Sequence, residues 1–126
     1  MTEAFLEHAN ITVSDPEATA SMLAQLFGWS TRWFGEAKDG GVSYHVGGRD
    51  SYLAIYSKGG REDGGNSYET PGALNHLGIV VDDLDAVETR VRAAGFQPHS
   101  YADYEPGRRF YFDDPDGIEM EVVAYD

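Results

Sequence analysis

The 126-residue chain contains no cysteine. That absence excludes a disulfide framework, a thiolate nucleophile and sulfur ligation, so a metal ion bound here would be held by nitrogen and oxygen donors. Positive charge is also scarce. Nine lysines and arginines stand against 22 aspartates and glutamates, a formal net charge of -13. A field of that sign repels phosphate backbones and anionic lipid surfaces, which argues against nucleic acid and membrane as partners. No apolar run approaches the roughly 20 residues needed to span a bilayer. The opening segment MTEAFLEHANITV lacks the basic-then-apolar pattern of a secretion signal. The expectation is a cytoplasmic protein.

Hydrophobic residues make up 41% of the chain and aromatics 13%, enough to offset chain entropy with a packed core. The length suits one domain over residues 1–126, or two very small modules around a shared core. A repeat favours the second description. His8-Ala9-Asn10-Ile11-Thr12-Val13-Ser14-Asp15 opens a segment closed by Leu26-Phe27-Gly28-Trp29, and His76-Leu77-Gly78-Ile79-Val80-Val81-Asp82-Asp83 opens one closed by Ala93-Ala94-Gly95-Phe96. The offset is 68 residues at the histidines (76 minus 8) and 67 at the glycines (95 minus 28).

Each copy begins with strand-like alternation, placing Ala9, Ile11 and Val13, or Leu77, Ile79 and Val81, on the face opposite the histidine. A helix is predicted next. In the first copy Ser14-Asp15-Pro16 supplies a cap and a proline tolerated in the first turn, Ala20, Met22, Leu23, Leu26 and Phe27 keep helical spacing, and Gly28 stops it. In the second, Asp82-Asp83 starts the helix, Leu84, Val87, Val91 and Ala94 form its apolar stripe, and Gly95 ends it. Strand candidates follow near 30–35, 42–47 and 51–57, and near 97–102, 108–113 and 118–124. The pattern is α+β, with βαβββ modules at 1–57 and 74–126 and a polar, glycine-rich linker at 58–73 that can double as a flap.

Histidines at the same place in two repeats approach each other naturally if a pseudo-twofold axis relates the modules. Both lie on the face turned away from the helix. On the last strand, Met120 and Val122 alternate with Glu119 and Glu121, and a carboxylate from that pair completes a set of two imidazoles and one oxygen donor. Spacing alone leaves Glu119 and Glu121 both open.

These residues resemble the vicinal oxygen chelate superfamily, which includes glyoxalase I, extradiol dioxygenases, and fosfomycin- and bleomycin-resistance proteins. The marks are the histidine seven residues before an aspartate in both modules (His8 to Asp15, His76 to Asp83) and the closing Phe110-Tyr111-Phe112-Asp113-Asp114-Pro115-Asp116-Gly117-Ile118-Glu119-Met120-Glu121. The resemblance implies the glyoxalase/bleomycin resistance/dioxygenase fold, an eight-stranded cup-shaped sheet. It selects Glu121, four residues after the turn glycine, and implies one divalent ion (Fe2+, Mn2+, Zn2+ or Ni2+) held by His8, His76 and Glu121. It further implies a homodimer in which His8 of one subunit meets His76 and Glu121 of the other. Tyr111 coincides with the extradiol tyrosine that bonds substrate, so Tyr111 and Glu121 are the catalytic candidates. Trp33 and Tyr52 are candidates for the cup wall, and Arg109 for orienting an anionic substrate.

Ala54 falls where glyoxalase I carries a fourth, acid-base ligand, so hemithioacetal isomerisation is not expected. The extradiol acid-base histidine has no match in sequence, His99 being displaced. The function expected is that of a metal-dependent enzyme acting on a small oxygenated substrate that chelates the ion, dioxygenase-like or lyase-like. The alternative is a bleomycin-resistance-type protein that binds and sequesters its ligand without catalysis.

Overall fold

A computed structural model describes residues 2–59, 68–104 and 107–125. The chain divides into two compact units, Met1–Arg61 and Glu62–Asp126. The first contains β1 (His8–Thr12), α1 (Pro16–Phe27), β2 (Ser30–Glu36), β3 (Val42–Gly47) and β4 (Tyr52–Ser57). The second contains β5 (Leu77–Val80), α2 (Leu84–Ala93), β6 (His99–Tyr104), β7 (Gly107–Asp113) and β8 (Glu119–Tyr125). Their sheets have the same topology, β1-β4-β3-β2 and β5-β8-β7-β6. The first and last strands of each unit pair in parallel and the other neighbours antiparallel.

The duplicated sequence therefore folds as duplicated βαβββ units, and the helix signals are realised in detail. Asp15 and Asp83 cap α1 and α2 from nearly the same extended backbone conformation. Each carboxylate accepts a bond from the third residue on, Ala18 N–H and Ala86 N–H, at 3.1 Å in both. Such a bond satisfies a backbone donor that the first helical turn leaves without an internal partner. Gly28 ends α1 in the left-handed region at φ 72, where a side chain would be strained.

Alternation along the strands decides which face each helix covers. Ile11, Leu23, Leu26, Val46 and Ile55 are buried in the first unit, as are Val87, Val91, Phe110, Phe112, Met120 and Val122 in the second. Burying each such side chain contributes about 1.5–3 kcal/mol before entropy is counted. All five apolar positions predicted for α1 are buried or half-buried, as are all four predicted for the second helix.

The limits of β2, β4, β7 and β8 fall within one residue of expectation, and two further boundaries differ. His76 immediately precedes β5 rather than opening it. The strand expected at 97–102 is β6, His99–Tyr104, and its pairing with β7 shifts register between His99 and Ala102. Ser100 lies in that shift at φ 55, a bulge that alternation does not reveal. Of the predicted linker, 60–67 lie outside the described residues, while 68–73 form turns. Among the described residues no helix is long and apolar enough to cross a membrane.

Candidate functional site

In the second unit Glu121 occupies the middle of the sheet, opposite Gly78 on β5 and Tyr111 on β7. Met120 and Val122 face the core, so the carboxylate emerges on the other face. There it has two partners. Oε1 lies 3.1 Å from His76 Nε2, and Oε2 accepts a 2.7 Å bond from Arg109 Nη1. The side chains of Arg109 and Glu121 are only 11% and 12% exposed, so this is a largely desolvated ion pair.

The other nitrogen of His76, Nδ1, is 2.7 Å from Asn75 Oδ1. An oxygen acceptor therefore lies beside each ring nitrogen, and the tautomer decides the contact: Nε2 donates to Glu121 in one tautomer and offers it a lone pair in the other. Divalent ions bind imidazole and carboxylate at about 2.0–2.2 Å, and two such bonds at right angles put their donors about 3 Å apart. The spacing of Nε2 and Oε1 thus fits a pair of adjacent ligands. Asn75 fixes the ring as the outer hydrogen bond of a metal-bound histidine does.

Tyr111 meets His76 edge-on at 5.7 Å between ring centroids. His99, displaced in sequence from any acid-base position, lies directly across from Tyr111 in the β6/β7 register, with 6.3 Å between ring centroids. Its Nε2 is 3.6 Å from Asp113 Oδ1. Glu119, the other carboxylate candidate on β8, accepts a bond from the Tyr68 hydroxyl.

The first unit carries a different set at corresponding positions. Asn10 pairs with Ala54 as Gly78 pairs with Glu121, and His45 pairs with Ala54 as Tyr111 pairs with Glu121. Ala54 is therefore the register counterpart of Glu121, and His45 that of Tyr111. Rings from all four strands form a row: Trp33 to His45 at 4.9 Å, His45 to Tyr52 at 4.7 Å, and Tyr52 to His8 at 4.9 Å. The Arg32 guanidinium lies 4.7 Å from the Tyr52 ring centre. His8 Nδ1 is 3.0 Å from Glu7 Oε1. Burial lowers the pKa of His45, and the nearby charges of His8 and Arg32 lower it further.

The structure thus brings His76, Glu121, Arg109 and Tyr111 together in one unit and His8, Trp33 and Tyr52 in the other. Arg109, expected to orient substrate, turns its guanidinium to Glu121 and the Gly107 carbonyl instead. Among the described residues no group of three or more histidine or acidic side chains is poised for a metal ion. Sequence reasoning passed over His45 and Asn75. Strand alternation places His45 on the face away from α1, whereas Asn75 lies outside any periodic segment and gives no comparable signal.

Paired βαβββ units with a histidine-carboxylate pair on the open face define a class of protein, and the sequence agrees. Residues 5–122 match the model of the Glyoxalase/Bleomycin resistance protein/Dioxygenase superfamily, and the chain belongs to that family. The fold is shared with a glyoxylase/bleomycin resistance protein/dioxygenase domain from Frankia sp. EAN1pec (21% identity, 99% of this chain and 94% of that one, TM-score 0.84). It is shared with TnmS3, an antibiotic binding protein from Streptomyces sp. CB03234 (22% identity, 100% and 99%, TM-score 0.77). It is shared too with the fosfomycin resistance protein FosX from Listeria monocytogenes, solved in complex with Mn(II) and sulfate (19% identity, 99% and 95%, TM-score 0.76). Comparison with curated proteins found no match.

Proposed function

We propose that this chain is a metal-dependent enzyme acting on a small organic substrate that chelates one divalent ion through neighbouring oxygens, with dioxygenase-like or lyase-like chemistry. The observation that carries the reading is the 3.1 Å approach of His76 Nε2 to Glu121 Oε1, with Asn75 on the far side of the ring. His8 is the proposed third ligand, contributed in a homodimer whose subunits each supply part of the site. The ion would supply Lewis acidity, polarising a substrate oxygen. Asn75 holds the imidazole orientation, Arg109 holds Glu121, and Tyr111, beside His76, is the proposed hydrogen-bond partner of a substrate oxygen. The Mn(II) complex of FosX supports a divalent ion in this fold.

A second reading has its own observation. The ring row of the first unit, with Trp33 at 47% exposure, offers aromatic surface, and TnmS3 is an antibiotic binding protein. In that reading the protein holds its ligand without turnover.

Metal analysis after purification without chelators separates the two. The enzyme reading expects about one divalent ion per chain in the wild type and its loss in His8→Ala, His76→Ala and Glu121→Ala. Unchanged metal content in those variants rejects the proposed ligands. Tight binding of an aromatic antibiotic by metal-free protein, weakened by Trp33→Ala, favours sequestration.

A further inference from the structure

We propose that the Tyr68–Glu119 hydrogen bond is a latch that closes the segment 68–76 onto β8 and thereby positions His76 against Glu121. The inference deepens the proposed function, on which its bearing on catalysis rests. The segment meets one face of β8 at two points. At its start the Tyr68 hydroxyl donates to Glu119 Oε1, and at its end His76 Nε2 lies 3.1 Å from Glu121 Oε1. Glu119 and Glu121 alternate with the buried Met120 and Val122, so they share the open face, about 7 Å apart at strand spacing.

Seven residues, 69–75, separate the two points. Extended, such a stretch would overshoot the gap severalfold, so the chain has to double back. Thr70-Pro71-Gly72-Ala73 makes the reversal. The Ala73 N–H donates to the Thr70 carbonyl at 3.0 Å, and Gly72 sits at φ 90, the left-handed conformation that a type II turn requires of its third residue, with proline favoured at its second. The loop therefore has a preset tip and two pinned ends. What the latch controls follows from where β5 begins. Its pairing with β8 starts at Leu77, opposite Met120, so His76 lies just outside the ladder. The ring is set by Asn75 at one nitrogen and Glu121 at the other. Residues 68–75 are exposed, so little core packing fixes Asn75, and the latch at the far end of the loop does so instead. With the latch open the loop swings on its β5 end, and Asn75 no longer holds the imidazole. Tyr68 is thus a positioning residue, acting through Asn75 and His76.

Carbethoxylation of metal-free protein by diethyl pyrocarbonate, followed residue by residue by mass spectrometry, reads the accessibility of each imidazole. In Tyr68→Phe the rate at His76 is expected to rise about fivefold, the population change that loss of one exposed hydrogen bond produces, with His8 and His45 in the other unit unchanged. Glu119→Ala should give the same rise and the double variant no more than either. Glu119→Gln, whose amide oxygen still accepts the phenol, should stay close to wild type. If Tyr68→Phe does not fold, Glu119→Ala against Glu119→Gln decides the matter. An unchanged His76 rate overturns the inference, and so does a rise shared by His8 and His45, which would report a general loosening of the fold. Because the labelling needs no ion, a wild type that binds no divalent metal removes the proposed function alone, and a His76 that does not respond removes the latch alone.

Discussion

Two carboxylates alternate along one face of β8, and their neighbours treat them differently. Glu121 meets a guanidinium and an imidazole, whereas Glu119 accepts a bond from the Tyr68 phenol. That bond favours the neutral phenol and, helped by some desolvation and the negative charge of Glu119, pushes the Tyr68 pKa up to about 12 from 10.0. A group whose pKa is higher folded than unfolded stabilises the fold fully below the unfolded value and loses that contribution as pH rises through the folded one. The Tyr68 contribution is thus complete below about pH 10 and is lost as pH climbs toward about 12. It is small, since Tyr68 is 57% exposed and water screens the pair. Absorbance titration of tyrosinate should show one phenol ionising near pH 12 in the wild type, absent in Tyr68→Phe and moved down in Glu119→Gln. An identical curve for Glu119→Gln would remove the assignment. The residues of this face were partly legible in sequence. His76, Glu121 and Tyr111 followed from alternation and motif, but the partner of Arg109 did not, because Arg109 and Glu121 are 12 residues apart and meet only through the β7/β8 register.

The sequence marks shared by the two modules have a structural reason at the scale of the element. The aspartate seven residues after each histidine is a helix cap, so the spacing measures one strand and one turn. Asp15 and Asp83 make the same 3.1 Å bond. Asp15→Ala and Asp83→Ala should therefore cost similar amounts, each about 0.5–2 kcal/mol. Urea unfolding should show lowered midpoints with unchanged slopes. A cost in one variant and none in the other would mean that the two caps are not equivalent in energy. Helices and most strands could be read from period and cap because those signals are local. The start of β6 could not, since the bulge at Ser100 depends on pairing with β7. Alternation alone opens the strand at His76, whereas the residue lies just before it, tied to Asn75 and Glu121.

At the scale of the whole molecule the dominant electrostatic fact is the net charge of -13. Ion pairs such as Arg92–Glu88 and Arg108–Asp85 neutralise acidic groups locally, yet water screens their exposed guanidinium groups and each pair contributes little. The excess acidic residues repel one another in the compact state more than in the expanded chain, where they stand further apart. Raising ionic strength from about 0.01 M to 0.15 M shortens the screening length from about 30 Å to about 8 Å. Both repulsion and surface pairing weaken, and with 22 acidic against nine basic residues the loss of repulsion is larger. Thermal unfolding at pH 7 is therefore expected to move to higher temperature on adding sodium chloride, by several degrees if the gain is about 1 kcal/mol. The ion should be left out of this measurement, since binding to the folded state alone would also raise the midpoint. A midpoint that falls with salt would mean that specific ion pairs outweigh the acidic excess.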